Sequence, residues 1–274
     1  MQILDAFPLW AILVVAILGQ VVFIELGFRV GTFRQGKPNK AQMAQVRAIM
    51  GASLGLLAFM LAFSFNTAQQ HFEERARAYM LEISAIDTAF RGTDLLPPAE
   101  AGAAKKLLQQ FAQLRIQTSE ASKASDRTIV IAMIRESERL HDQLWAIAEA
   151  SMDYNADGID SGIFAQAVLA MIDAHDARLQ AALFNRISPI IWITLYLMSV
   201  LSMTVMGYQA GLTGTRSTLA TWTLAATFAA VMVLITDLDR PRMSLFKLNQ
   251  QLMVEMASRM DGGEYWDMEV HKDK

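Results

Sequence analysis

Between Arg47 and Glu73 the chain carries no Asp, Glu, Lys or Arg, and beyond Glu73 charges crowd in. One stripe runs through both stretches. Steps of three and four residues pick out Ala48, Gly51, Gly55, Ala58, Ala62, Phe65, Gln69, Phe72, Ala76, Tyr79, Ile83, Ile86 and Phe90. That spacing predicts a seam along one face of a single helix, small where lipid would surround it and large beyond. From Ala48 to Phe90 such a helix would be roughly 65 Å long, about twice the hydrocarbon thickness of a bilayer. The unbroken register predicts one partner along the whole length. That partner is either the rest of the chain or another copy around a shared axis. Gln69 interrupts the stripe near the expected membrane surface, where a polar seam residue can fix register or oligomeric state.

Four windows free of charge, residues 6–24, 48–65, 187–207 and 217–236, are each about 18–21 residues long, enough to cross a bilayer. The first opens on Met1-Gln2-Ile3-Leu4-Asp5 with no basic residue and closes in Gly19-Gln20-Val21-Val22. It lacks the marks of a cleaved signal peptide and is read as a retained membrane helix. Gly31, Gly36 and Pro38 mark the connection after it as a loop.

Residues 66–186 keep helical spacing throughout. The long helix is expected to end at Arg91-Gly92, with Leu95-Leu96-Pro97-Pro98 as the turn. Ala103, Leu107, Phe111 and Leu114 mark the next helix, from about Ala99. Ile129, Met133, Leu140, Leu144 and Ile147 mark another, which Ser125-Asp126 can cap. A further helix from Ser161 presents Phe164, Val168, Met171, His175 and Leu179. These are amphipathic helices suited to a bundle. After the last window, Leu245, Leu248, Leu252 and Met256 form an amphipathic stretch before a polar tail.

The predicted fold is all-α: a polytopic membrane protein with four transmembrane helices, two plus two, around a helical bundle domain. Its parts are a first membrane hairpin at 1–65 (helices about 6–26 and 48–65), the bundle at 66–186, a second hairpin at 187–236 and a C-terminal segment at 237–274.

Charge adds orientation. Arg29, Arg34, Lys37, Lys40 and Arg47 follow the first helix without an intervening acid, whereas the N-terminal tail holds only Asp5. Basic loops stay in the cytoplasm, so the N-terminus and the bundle are expected outside. Arg75, Arg77, Arg178 and Arg186 on the other flank reduce that asymmetry. The net charge of −3 and the lack of any basic run give no nucleic-acid footprint. With no cysteine, disulfides, thiolate metal sites and cysteine nucleophiles are excluded.

Candidate chemistry is sparse. Glu82 and Asp87 flank the seam. They are either solvated acids and partners for Arg75, Arg91 or Arg115, or carboxylates at the mouth of an ion pathway, where they would concentrate cations. Asp237, Asp239 and Arg240 stand where the last membrane helix meets water, as a self-satisfied cluster or as the lining of a vestibule. Asp153-Tyr154-Asn155-Ala156-Asp157-Gly158 opens like a calcium loop, but Phe164 stands where the closing glutamate belongs, so a polar turn is expected. His71, His141 and His175 fall on three different helices, and a hydrogen-bonded core role is favoured over a metal site. No nucleophile elbow, phosphate loop or zinc-protease spacing occurs, so no enzyme, metal or cofactor is expected.

Five segments carry a resemblance. They are Glu82-Ile83-Ser84-Ala85-Ile86-Asp87-Thr88-Ala89-Phe90 with Asp94-Leu95-Leu96-Pro97, Met171-Ile172-Asp173-Ala174-His175, Gly207-Tyr208-Gln209-Ala210-Gly211-Leu212 and Asp237-Leu238-Asp239-Arg240-Pro241-Arg242. With them the chain, from Leu57 to about Met260, resembles the bacterial bestrophin-like domain family, distantly likened to bestrophin chloride channels. The family usually has asparagine at Ser84 and glycine at Asp87 and Ser244, and its arginine one residue later appears here as Arg91. The resemblance implies a helical protein of the bacterial inner membrane and, by analogy, an ion channel. Bestrophins share the two-plus-two plan but carry their large domain in the cytoplasm, opposite to the charge reading. The expected function is therefore a homo-oligomer forming a pathway for inorganic ions. The alternative is a membrane-anchored helical module that binds a ligand or scaffolds a partner protein without transport. The bilayer and further copies of the chain are the expected partners.

Overall fold

A computed structural model describes residues 7–33, 39–123, 127–154, 159–214, 218–240 and 251–262, and among these no strand occurs. The helices are α1 (Leu9–Phe33), α2 (Lys40–Gly92), α3 (Pro98–Lys123), α4 (Arg127–Tyr154), α5 (Ile159–Leu183), α6 (Pro189–Thr213), α7 (Thr218–Asp239) and α8 (Gln251–Met260). Helices α1, α2, α6 and α7 are long and apolar enough to cross a bilayer. The protein is an all-α polytopic membrane protein.

The chain divides into two compact units. One comprises Met1–Phe72 and Asn185–Phe246, the other Glu73–Phe184 and Lys247–Lys274. In the membrane unit α1 packs along α6 and against α7. Glycine makes the first contact possible. A Cβ on Gly27 or Gly31 would run into the backbone of Thr204 or Tyr208, and one on Gly207 or Gly211 into that of Ile24 or Phe28. Both helices thus use Gly-x-x-x-Gly spacing to bring their backbones together. The contacts advance in step, Ile24 with Gly207 and Phe28 with Gly211, so α1 and α6 run in the same direction. The predicted loop at Gly31 is corrected here. α1 continues through Gly31 to Phe33 because that glycine is a packing position.

Leu57, Leu61 and Ala68 of α2 join Trp192, Leu195 and Met203 of α6 and Met232 and Ile235 of α7 in the membrane unit's core. Ser202 Oγ donates to the Ser53 carbonyl at 3.1 Å. Outward positions of α1 (Trp10, Val15, Leu18) and α6 (Ile190, Ile193, Leu197) are large and exposed, as lipid-facing positions should be.

The second unit holds α2 from Glu73 onward with α3, α4, α5 and α8. Ile86, Leu108, Phe111, Leu140, Leu144, Phe164, Val168 and Met171 are sealed in its core. Helix α2 ends at Gly92, a 3-10 turn (Thr93–Leu95) follows, and Pro98 opens α3, where proline's missing N–H costs nothing. Met253, Met256, Ala257 and Met260 of α8 enter the same core. Gln109 Nε2 donates to the Met260 carbonyl at 2.7 Å, satisfying one of the orphan acceptors of a helix end.

Candidate functional site

The most elaborate polar site lies inside the second unit and is centred on Glu82. Glu82 follows Tyr79 by three residues and precedes Ile86 by four, which sets it on the buried face of α2. Its side chain is fully buried. Three cationic or protonatable groups converge on the carboxylate. Arg115 Nε from α3 lies 3.0 Å from Oε1, and His175 Nδ1 from α5 lies 2.8 Å from the same oxygen. Arg178, one turn beyond His175, bonds Oε2 through Nη1. The Arg178 guanidinium also lies 4.8 Å from the centre of the Tyr79 ring, a cation–π contact.

Helix α4 contributes His141. Its ring meets His175 edge-on at 5.0 Å between centroids and lies 4.8 Å from Phe111. Among the described residues, Arg115 Nη1, His141 Nε2 and His175 Nε2 are buried without a hydrogen-bond partner, and so is Arg115 Nε, whose contact with Glu82 is an ion pair without hydrogen-bond geometry. One carboxylate therefore faces two guanidinium groups and one imidazole, with a second imidazole behind the first, a site with excess positive charge.

That imbalance governs protonation. Burial by itself would raise the Glu82 carboxyl, but the His175 hydrogen bond and the Arg115 and Arg178 charges outweigh it and hold it down at about 2. Burial lowers Arg115 to about 10 despite Glu82. Burial also lowers His141 to about 4; His175 and Arg115 push the same way, and Glu82 opposes them. Glu82 is thus a fixed anion and His141 a neutral ring at pH 7.

The seam divides. Gly51, Gly55, Ala58 and Ala62 are exposed within the chain, and a Cβ on Gly51 or Gly55 would meet nothing within 4 Å. Phe72 packs against the membrane core, whereas Tyr79 and Ile86 belong to the other unit's core and Ile83 lies against it. The expectation of one partner along the whole length is corrected. A stripe with a 3.5-residue step drifts around a 3.6-residue helix by about 20° per heptad, roughly 100° between Gly51 and Ile86. The face that stays uncovered follows the helix instead: Gly51, Gly55, Ala58, Ala62, Asn66 and Gln69 are all exposed.

Of the other sequence candidates, Asp87 pairs with Arg91 on its own helix at 3.0 Å and is not drawn into the Glu82 site. Glu82 itself is sealed, so the picture of a solvated acid is corrected; of its expected partners, Arg115 is present. Asp237, Asp239 and Arg240 are each more than nine-tenths buried. Asp239 Oδ1 accepts the Ile187 N–H at 2.8 Å, just before α6, and the Arg240 N–H bonds the Asp237 carbonyl at 3.2 Å. This trio closes a helix junction. His71 belongs to the membrane unit's stretch of α2, the other two histidines to the second unit. The predicted turn at Asn155–Gly158, Pro241 and most of the polar tail lie outside the described residues.

The family model for the bestrophin-like domain matches residues 8–241. The chain belongs to the bestrophin-like family. The match starts earlier and ends earlier than the resemblance read from Leu57 to about Met260. No curated protein and no solved structure gives a match. In this bestrophin-like chain the segments that carry the resemblance fall on four structural points, one of them the turn between α2 and α3 at Asp94–Pro97. Glu82 and His175 form the buried site, Gly207 and Gly211 the α1–α6 contact, and Asp237–Arg240 the end of α7.

Proposed function

We propose that this membrane protein is a homo-oligomer whose copies meet through the uncovered face of α2 and together form a pathway for inorganic ions. The observation that carries the reading is the composition of that face. Exposed positions on α1 and α6 are large, and α2 has such a face too (Ile49, Leu56, Phe59, Phe63), but beside it α2 exposes a stripe of Gly51, Gly55, Ala58 and Ala62, followed by the amides Asn66 and Gln69. Small residues gain little against lipid tails but let helices approach closely. Amides at the end of the apolar window would give an ion polar groups to exchange for part of its hydration. The lining candidates are then Asn66 and Gln69, with Asp87 further out. Glu82, Asp237, Asp239 and Arg240 serve the subunit's interior. We place the protein in the bacterial inner membrane with the bundle outside, following the basic residues between α1 and α2.

Liposomes containing the purified protein test the pathway, together with cysteine crosslinking at Gly55 and at the fully buried Ile86. Ion flux is expected, with crosslinks between copies at Gly55 and none at Ile86. No flux of any inorganic ion across pH and calcium, with no crosslink at Gly55, would sink the proposal.

One observation favours the second reading, a membrane-anchored binding module. Between α3 and α4 lies a groove of about 260 Å³ lined by Gln110, Gln113, Leu114, Gln117, Glu136, Arg139 and Leu140. Three amides and the Glu136–Arg139 ion pair over a leucine floor suit a polar ligand or peptide. Capture of a partner by protein that passes no ions would establish this reading instead.

A further inference from the structure

The Glu82 site joins four helices through groups that differ in what a proton does to them. Tyr79 and Glu82 come from α2, Arg115 from α3, His141 from α4, and His175 and Arg178 from α5. Helix α8 presents only Met253, Met256, Ala257 and Met260 to this core, none of which titrates. The unpartnered nitrogens of Arg115, His141 and His175 are closed off from solvent. The site therefore acts through its charges rather than by holding a ligand beside those atoms.

His141 is the weak point. Glu82 is already met by Arg115, His175 and Arg178, and His141 reaches the site only by ring contact with His175 and Phe111. A protonated imidazole carries N–H on both nitrogens, and Nε2 of His141 faces no acceptor among the described residues.

We propose that this site is an acid-operated latch in the helical unit, in which proton uptake by His141 sets a third cation beside Arg115 and Arg178 and releases α4 from α2, α3 and α5. The proton comes from solvent and returns to it when the pH rises, so no other reactant is needed. The latch does not rest on the ion-pathway reading, because it is read from the protein's structure rather than from flux.

Hydrogen exchange on the full-length protein in detergent, corrected for intrinsic rates, tests it between pH 7 and 4. Protection of α4 amides around His141 should fall as pH drops below 6.5, by about tenfold per pH unit where one proton separates the open and closed forms. The fall should level off near pH 4, where the closed form also takes up the proton. Amides of α1 and α6 should not change. His141→Phe, which keeps a ring in the contact, should hold its pH 7 protection down to pH 4; His141→Leu serves if the first variant does not fold. Equal wild-type protection at pH 7 and pH 4 would overturn the latch, and so would a loss that persists in the folded variant.

Discussion

Replacing Gly207 by alanine probes the point where two membrane helices leave each other no room. The added Cβ would stand 2.8 Å from the Ile24 carbonyl carbon and nearer still to its oxygen, inside the 3.0 Å that real Cβ contacts respect. The obstacle is backbone, so no side chain can swing away. Helix α6 would have to retreat from α1 by on the order of 1 Å, the scale of overpacking that costs about 1–3 kcal/mol. Gly27, Gly31 and Gly211 share the crossing and would lose contact with it, which puts the cost toward the top of that range. Alanine's better helix propensity returns less than about 1 kcal/mol. A net loss of about 2 kcal/mol lowers the folded-to-unfolded ratio by roughly 30-fold. Gly19, also on α1, supplies the control, because a Cβ added there would meet nothing within 4 Å. Unfolding of both variants in detergent, followed by tryptophan emission, makes the comparison. If Gly207→Ala proves as stable as Gly19→Ala, backbone-to-backbone packing of α1 on α6 is refuted.

Three further outcomes are expected. Glu82→Gln should destabilise the helical unit by about 3–5 kcal/mol, because it strips the counter-charge from the buried Arg115; circular dichroism during urea unfolding measures it, and in any variant that folds, ion preference should match wild type. Stability should also fall with acid in two windows. The folded-state value for His141 is depressed from 6.5 to about 4, so the unfolded chain binds the proton first and up to about 3 kcal/mol is lost as pH falls between those values. Glu82 is depressed from 4.5 to about 2, so its contribution, present above 4.5, is lost below that. Urea midpoints from pH 7 to pH 3 follow both windows, and His141→Phe should remove only the upper one. Finally, since the chain has no cysteine, single cysteines at Lys40 and Lys106 report topology by impermeant labelling. Reaction from outside at Lys106 alone is expected, and the reverse pattern would put the bundle in the cytoplasm.

The membrane helices and the end of α2 at Gly92 were legible because they depend on local pattern: charge-free runs, amphipathic spacing, and the Gly-Pro punctuation after Arg91. The Glu82 site was not, since its partners on α5 lie 93 and 96 residues away and periodicity carries no pairing information. A faint signal did exist. Glu82 falls between two apolar positions of the buried face, and His175 and Arg178 stand three apart on a helix where His175 lies between the apolar Met171 and Leu179. The glycines teach a sharper lesson. Gly51 and Gly55 sit in a long stripe yet meet no other part of the chain, while the four glycines that close the α1–α6 contact lie outside that stripe. Small-residue spacing says that close approach is permitted, not where it happens; the opposing helix decides that.

The α1–α6 contact also bears on how the protein is made. Helix α1 enters the bilayer early, yet the surface that Gly27 and Gly31 present has no occupant until Gly207 and Gly211 have been synthesised. At roughly 5–20 residues per second the wait lasts on the order of ten seconds or more. During it, a groove shaped for another backbone lies open to lipid. The same groove fits α6 of a neighbouring nascent chain, so crowding of ribosomes on one message would favour molecules that exchange this helix.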